Sequence, residues 1–190
     1  MFAVLTLLSM SVAGWFVYQH SHRQGELELK NNSNAKLDLF AAVVEARIRR
    51  LEPVPATIQL NPLVVSLLRA GTAQSSAVSA VNDYLARLNA HVGSSSVFVI
   101  DVRGTVLASS NLSQPDDSRL GENLAYRPYY LEALAGRAVR YAAVGSGGQL
   151  GYFVSHPIYD GARIVGVAVV KVALDAVEES WPILAAPTVV

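Results

Sequence analysis

The run Ile164–Val172, which reads I-V-G-V-A-V-V-K-V, constrains the fold more than any other part of the sequence. Apolar side chains occupy both faces of this run, a pattern typical of a central β-strand that is buried on both sides. The turn sequence Tyr159-Asp160-Gly161 precedes it, and the glycine-rich stretch Gly145–Gly148 joins the two β-rich runs before that turn. Because short connections join antiparallel neighbours, the sequence predicts an antiparallel sheet.

Helical patterns come before most of the strands, so the predicted fold class is α+β. A long amphipathic helix is predicted from about Gln24 to the prolines Pro53 and Pro55, with an apolar stripe formed by Leu37, Phe40, Val44, Ile48 and Leu51. Further helices are predicted at Pro62–Ala70, from Ser75 or Ser76 to Val92, and at Pro128–Leu134. The five predicted strands are Val97–Ile100, Val106–Ala108, Val139–Val144, Gly151–Pro157 and Arg163–Val172.

The stretch Met1–Tyr18 contains no charged side chain. Eighteen helical residues span about 27 Å, roughly the hydrocarbon thickness of a bilayer. We interpret the stretch as a transmembrane anchor, because Trp15 and Tyr18 stand where an interfacial aromatic belt would lie. A cleaved signal peptide is the alternative, since Ser11-Val12-Ala13 resembles a small-residue cleavage site, but the apolar run continues beyond it.

The composition argues against several classes of function. The 15 basic and 15 acidic residues give a net charge of zero, so no basic surface for nucleic acid is expected. The absence of cysteine excludes disulfides and thiolate metal sites, and the four histidines lack the spacing of metal ligands. Ser155 and His156 are adjacent on a predicted strand and therefore face opposite ways, and no G-x-S-x-G elbow is present. We therefore expect no catalytic residue, no metal and no cofactor, and we interpret the chain as non-enzymatic.

The segment Asn123–Tyr130, read N-L-A-Y-R-P-Y-Y, places one arginine among three tyrosines. The planar guanidinium of Arg127 matches the two oxygens of a carboxylate. The tyrosines offer apolar rings with hydroxyls that donate or accept hydrogen bonds. Pro128 is expected to hold Arg127 in an extended conformation. These residue types suit the binding of a small carboxylic acid, although a surface arginine beside partly buried tyrosines would give the same sequence.

Lys171 interrupts the apolar run of the predicted central strand. Alternation along the strand places it on the same face as Val165, Val167 and Val169. An ammonium there needs a partner or a route to water, and the alternative is a lysine that extends into solvent at the strand end. Together with Arg127 it would form a two-point anion site. The backbone N–H groups of Gly145–Gly148 can close over a carboxylate, or the segment is an ordinary hairpin turn.

The order of these features resembles that of Cache domains, the PAS-like (PDC-type) extracytoplasmic sensor domains. The resemblance rests on Val97–Asp101, Asn123–Tyr130, Tyr141–Gly145, Gly151–Pro157 and Gly166–Val172, and it extends over most of Gln24–Trp181. More narrowly, the chain resembles the periplasmic sensor region of C4-dicarboxylate transport sensor histidine kinases. The segment R-P-Y-Y together with V-V-K-V is the specific part of this pattern.

The resemblance implies a sensor in the inner membrane that binds succinate, fumarate or malate in the periplasm and signals through a two-component system. It assigns the main ligand contacts to Arg127 and Lys171. It implies supporting contacts from Tyr126, Tyr130, Tyr141, Ser146, Gly147 and Ser155. The expected organisation is an anchor at residues 1–19, a Cache-type sensor domain at 20–182 and a connector to a downstream region at 183–190. The chain contains no kinase region, and a homodimer through the long helix is a further expectation.

Two other interpretations remain open at this point. The same fold can sense a monocarboxylate or an amino acid in a chemoreceptor or a diguanylate cyclase, although an amino acid site would require an acidic residue for the ammonium group. A pilin-like structural subunit also begins with an apolar helix before a sheet. Pilins ordinarily carry a glutamate near the start of that helix, and Met1–Tyr18 contains none.

Overall fold

A computed structural model describes residues 15, 37–39, 41–70, 75–112, 119–144 and 150–173 of the chain. The chain divides into two compact units, Met1–Val43 with Ile183–Val190, and Val44–Pro182. The described residues of the first unit, 15, 37–39 and 41–43, are all helical. Apart from Trp15, the anchor predicted at residues 1–19 lies outside the described residues, as does the connector at 183–190. Within the described ranges, no helix has both the length and the apolar character needed to cross a bilayer.

The second unit begins with helical residues 44–51, which we call α1, and four more helices lie among its described residues. These are α2 at Val54–Ile58, α3 at Pro62–Ala70, α4 at Ser75–Val92 and α5 at Pro128–Leu134. The bounds predicted for α3 and α5 are confirmed, as is the end of α1 before Pro53. Helix α2 was not predicted, because Pro55 suggested a break. A proline lies in the first turn of α2, where its missing N–H is not needed.

Five strands form one antiparallel sheet in the order β2-β1-β5-β4-β3, which confirms the predicted α+β class with a five-stranded sheet. The strands are β1 at Ser96–Asp101, β2 at Val106–Ser109, β3 at Val139–Val144, β4 at Leu150–Asp160 and β5 at Arg163–Ala173. Strand β5 lies in the centre, between β1 and β4, as its two apolar faces predicted. Strand β4 continues past Pro157, where the sequence suggested an end. The ladder with β3 stops at Ser155, so Pro157 needs no N–H on that side.

A β-bulge changes the direction of one predicted side chain. Ile158 of β4 pairs with Gly166, whereas Tyr159 pairs with Ile164, so Val165 has no partner across β4. The extra residue interrupts the alternation of side chains along β5. Val165 consequently packs in a different core cluster from Val167 and Val169. The prediction that Val165 shares a face with Lys171 was therefore wrong, while the placement of Val167 and Val169 together was correct.

The two faces of the sheet bury two separate hydrophobic clusters. Helices α2, α3 and α4 cover one face, where Ile58, Leu67 and Leu85 are fully buried. Helix α5 covers the opposite face, which we call the α5 face, and it packs against strands β3, β4 and β5. The cluster beneath α5 includes Phe98 and Phe153. Each strand of the sheet centre is therefore shielded from water on both sides.

Gly166 of β5 lies against both the backbone of β1 and the side chain of Leu68 from α3. A Cβ atom at this position would lie 2.6 Å from the carbonyl oxygen of Ile100 and 2.7 Å from Cδ2 of Leu68. The first neighbour belongs to the backbone of β1 and cannot move without distorting the ladder. Gly151 on β4 is a useful contrast, because a Cβ there would meet only side-chain atoms, at 3.2 Å or more.

We expect Gly166→Ala to lower the free energy of unfolding by about 1–3 kcal/mol, the usual cost of overpacking a core. Gly151→Ala is the matched control, since the same methyl group is added on the neighbouring strand and the Phe153 and Lys171 side chains can yield. Urea denaturation of both variants and the wild-type chain measures the difference. Equal midpoints for the two variants would contradict the prediction.

Candidate functional site

The start of α5 fixes the position of Arg127. Arg127 is the N-cap residue, with φ −76° and ψ 132°, so its backbone is extended as Pro128 predicted. Its carbonyl accepts hydrogen bonds from the N–H groups of Tyr130 at 3.0 Å and Leu131 at 3.1 Å. Its own N–H donates to the carbonyl of Leu124 at 3.0 Å. The backbone that carries the guanidinium is therefore held on both sides.

Arg127 is partly buried, and one nitrogen of its guanidinium forms no hydrogen bond with the described residues. Its Nε atom is shielded from water and has no hydrogen-bond partner among the described residues. The guanidinium carbon lies 5.0 Å from the ring centroid of Tyr126, within range of a cation–π contact. Tyr126 itself is 66% exposed. A buried donor without an acceptor is costly, so this nitrogen favours the arrival of an anion or of water.

Tyr129 joins α5 to the sheet. Its ring stacks on that of Phe153, with the centroids 5.0 Å apart and the planes 10° from parallel. Its backbone carbonyl accepts a hydrogen bond from the hydroxyl of Ser155 at 2.9 Å. Burial raises the pKa of Tyr129 to about 12, and the positive charges of Arg119 and Arg127 oppose that increase. The phenol therefore stays protonated at neutral pH, close to two guanidinium groups.

Lys171 is buried on the α5 face of the central strand, with 4% of its surface exposed. It pairs with Phe153 on β4 and with Ser96 on β1. A Cβ atom on Gly151 would lie 3.4 Å from Cε of Lys171, so the lysine side chain passes beside this glycine. Because Gly151 has no side chain, it leaves space for the lysine stem that a larger residue would fill. The alternative of a lysine extending into solvent does not fit this burial.

The predicted site residues other than Arg127 and Tyr126 divide into three groups. Tyr141, Lys171 and Ser155 share the α5 face: Tyr141 pairs with Phe153, which pairs with Lys171, and Ser155 is the next residue of β4 on that face. Tyr130 is directed elsewhere, because its hydroxyl donates to the carbonyl of Asp101 at 3.2 Å, at the opposite end of β1 from Ser96. Ser146 and Gly147 lie outside the described residues.

Arg119 is a residue that the sequence reasoning missed. It lies between β2 and α5 and is not among the predicted site residues, yet it is 3% exposed and forms an ion pair with Glu122 at 3.3 Å. Its charge acts on the phenol of Tyr129 together with that of Arg127. The sequence gives no signal for this burial, because the neighbours of Arg119 are as polar as those of an exposed loop. The contact of Phe153 was likewise not predicted: its ring stacks on that of Tyr129.

The arrangement suits binding of an anion. Arg127 and Arg119 come from the segment leading into α5, and Lys171 comes from the sheet that α5 covers. In the part of the chain that the structure describes, no group of three or more His, Cys, Asp or Glu side chains is placed to hold a metal ion. A separate cavity of about 480 Å³ is lined by α1 and the C-terminal end of α4, so it does not involve these residues.

Comparison with known proteins gives a consistent family relationship. The family model described as single Cache domain 3 matches residues 31–183. The C4-dicarboxylate transport sensor protein DctB of Pseudomonas aeruginosa is 29% identical over 180 residues, which are 94% of this chain and 29% of that protein. The DctB protein of Rhizobium meliloti is 23% identical over 181 residues, which are 95% of this chain and 29% of that protein. The chain thus spans less than a third of the length of these relatives.

Solved structures agree with this relationship. The sensor domain of the histidine kinase DctB of V. cholerae superposes with a TM-score of 0.72 and 34% identity, over 80% of this chain and 58% of that chain. The ligand-binding domain of the Campylobacter jejuni chemoreceptor Tlp3, solved with L-norvaline, superposes with a TM-score of 0.58 and 19% identity, over 81% and 61% of the two chains. The second likeness shows the fold alone. The chain belongs to the single Cache domain 3 family of sensor domains.

Proposed function

We propose that this chain is the extracytoplasmic ligand-sensing part of a membrane-bound two-component sensor histidine kinase, and that it binds a C4-dicarboxylate on the α5 face. One observation carries the proposal. The sheet contributes a lysine that is 4% exposed, and the segment leading into α5 contributes an arginine whose buried Nε lacks an acceptor among the described residues. A ligand with two carboxylates can engage both cations from opposite layers of the same core.

Charge complementarity gives the preference for a dicarboxylate. Arg127 can bind one carboxylate through two parallel N–H donors, and the ammonium of Lys171 can bind the other as a point charge. A monocarboxylate would leave one cation without a ligand oxygen, and this difference supplies selectivity. The supporting contacts that we propose are Tyr126, Tyr141, Ser146 and Gly147. The hydroxyl of Ser155 donates to the Tyr129 carbonyl, so we give Ser155 a structural role in the ligand-free domain. Tyr130 belongs to this set only if its hydroxyl leaves the Asp101 carbonyl, so we give it a structural role in the ligand-free domain.

The relatives support the ligand class. The proteins from Pseudomonas aeruginosa and Rhizobium meliloti are both named C4-dicarboxylate transport sensors. The chain covers 29% of each, so the kinase, the inner membrane, the anchor at residues 1–19 and the connector at 183–190 are part of the proposal. An amino acid is the alternative ligand, because the Tlp3 domain of similar fold was solved with L-norvaline. Its ammonium would need an acidic partner, and Glu122 near Tyr129 already pairs with Arg119.

Ligand binding is proposed to act on α1 through strand β3. A dicarboxylate between Arg127 and Lys171 would draw α5 toward the sheet, where α5 contacts β3. Arg140 of β3 forms ion pairs with Glu45 of α1 at 3.5 Å and with Glu52, the residue after α1, at 3.8 Å. A shift of β3 would therefore change the contacts of α1. Residues 44–51 are also part of the long helix, predicted from about Gln24 to Pro53, through which we propose a homodimer. Binding then biases a two-state equilibrium by its difference in affinity for the two states.

A thermal-shift titration tests the ligand class directly. We expect succinate, fumarate or malate to raise the melting temperature of the 190-residue chain in mild detergent, with a shift that grows with the logarithm of ligand concentration. Acetate and a panel of amino acids serve as controls and should give no shift at the same concentrations. Stabilisation by an amino acid or by acetate alone would replace the dicarboxylate with that ligand, and no shift from any of them would contradict ligand sensing of this kind.

Substitution of the arginine separates binding from folding. We expect Arg127→Ala to weaken succinate binding at least about a hundredfold, since a buried charged contact is lost. The melting temperature of the ligand-free domain should be nearly unchanged, because the substitution removes a buried donor that has no acceptor. Isothermal titration calorimetry and thermal melts give the two quantities. Arg103→Ala is the matched control, since Arg103 is an exposed arginine in the β1–β2 turn. A large drop in the ligand-free melting temperature would show that Arg127 is structural.

Substitution of the lysine tests the second anchor point. Lys171→Met preserves the length and the apolar stem of the side chain but removes its charge. We expect this variant to lose its preference for succinate over butyrate, because only one cation remains for the two carboxylates. Calorimetric titration with both acids measures the ratio of dissociation constants. An unchanged ratio would mean that Lys171 does not contact the second carboxylate.

A further inference from the structure

Ser96 is the first residue of β1 and pairs directly with Lys171 on β5. Paired residues of an antiparallel ladder place their side chains on the same face, so both lie on the α5 face. The neighbouring residue of β1 on that face, Phe98, is part of the cluster beneath α5. Ser96 is 1% exposed, and its Oγ has no hydrogen-bond partner among the described residues. A hydroxyl is therefore buried beside the lysine with its hydrogen bond unmade.

The surrounding chain shows that this hydroxyl is an exception. The hydroxyl of Ser110 accepts the N–H of Val97 at 2.9 Å, and the amide of Asn111 donates to the carbonyl of Ser95 at 2.9 Å. Polar side chains thus satisfy the backbone on both sides of Ser96. Buried polar atoms in folded proteins nearly always have partners, and an exception calls for a physical explanation.

Ser155 provides a direct comparison on the same face of the sheet. It is 0% exposed, and its hydroxyl donates to the carbonyl of Tyr129. A serine that serves packing is therefore satisfied by the protein itself. In the described part of the chain, the buried side-chain nitrogen and oxygen atoms without a partner are Ser96 Oγ and Arg127 Nε. One stands beside Lys171, and the other belongs to the proposed partner cation.

We propose that Ser96 is a ligand-binding residue, whose hydroxyl donates to the carboxylate that pairs with Lys171. The assignment rests on the proposed function and names a contact on β1, a strand that contributes no other residue to the proposed site. Directly paired residues have Cβ atoms about 4.5–5.5 Å apart, so one carboxylate can take a hydrogen bond from each side chain. A small neutral donor beside a cation satisfies the second oxygen of the carboxylate without a further desolvated charge.

The test compares Ser96→Ala with Ser155→Ala in the full 190-residue chain in mild detergent, with succinate as the probe. Ser96→Ala should weaken succinate binding about tenfold, which corresponds to one hydrogen bond to a charged group. Its ligand-free melting temperature should stay equal to that of the wild type or rise, because an unsatisfied hydroxyl is removed. Ser155→Ala should lower the ligand-free melting temperature, because it leaves the Tyr129 carbonyl without its donor. Ser96→Cys, which is nearly isosteric and a weak donor, should also weaken binding.

The outcomes separate this assignment from the proposed function. A wild-type chain that binds succinate, together with a Ser96→Ala variant that binds it equally well, would overturn the assignment and leave the proposed function intact. A fall in the ligand-free melting temperature of Ser96→Ala as large as that of Ser155→Ala would make Ser96 a packing residue and overturn it as well. A wild-type chain that binds no dicarboxylate would overturn both.

Discussion

The stack of Tyr129 on Phe153 is the contact on which the geometry of the site depends. Arg127 lies two residues before Tyr129, and Lys171 is the direct partner of Phe153 across the β4–β5 ladder. The two rings, 5.0 Å apart, therefore link the helix that follows Arg127 to the strand beside Lys171. The hydroxyl of Ser155 adds a second link, from β4 to the backbone of α5. Such a stack contributes about 0.5–1.5 kcal/mol beyond the area that it buries.

Local sequence signals predicted the elements that carry this geometry. Glycine and proline at element ends gave the bounds of α3 and α5, and Pro128 gave the extended backbone of Arg127. The apolar run of β5 gave its central place in the sheet. These features depend on residues that are close together in the chain, so they can be predicted from a single sequence. The α+β class follows from the same rules, whereas the shared face of Tyr141, Ser155 and Lys171 comes from the pairing of β3, β4 and β5.

The features that were missed depend on contacts between distant segments. The bulge at Val165 depends on how β4 and β5 pair, and alternation along one strand gives no sign of it. Arg119 is buried and its charge acts on Tyr129, whereas its polar neighbours in sequence resemble those of any exposed loop. We assign Ser96 to the proposed site because it pairs with Lys171 on β5, 75 positions later in the chain. Its hydroxyl also has no hydrogen-bond partner among the described residues. The periodicity of a sequence gives neither the register of its strands nor which buried polar groups have hydrogen-bond partners.

The local balance of charge differs from that of the whole chain. The sequence has zero net charge, yet Arg119, Arg127 and Lys171 lie in or beside one core cluster, with Glu122 as the carboxylate paired with Arg119. An anion entering such a place gains from a reduced dielectric and from donors that are already ordered. On the far side of the sheet, the ion pairs of Arg140 with Glu45 and Glu52 are partly exposed, and such pairs contribute only about 0–1 kcal/mol each. The change in the α1 contacts that we propose on ligand binding would therefore break only weak ion pairs and would leave the two core clusters intact.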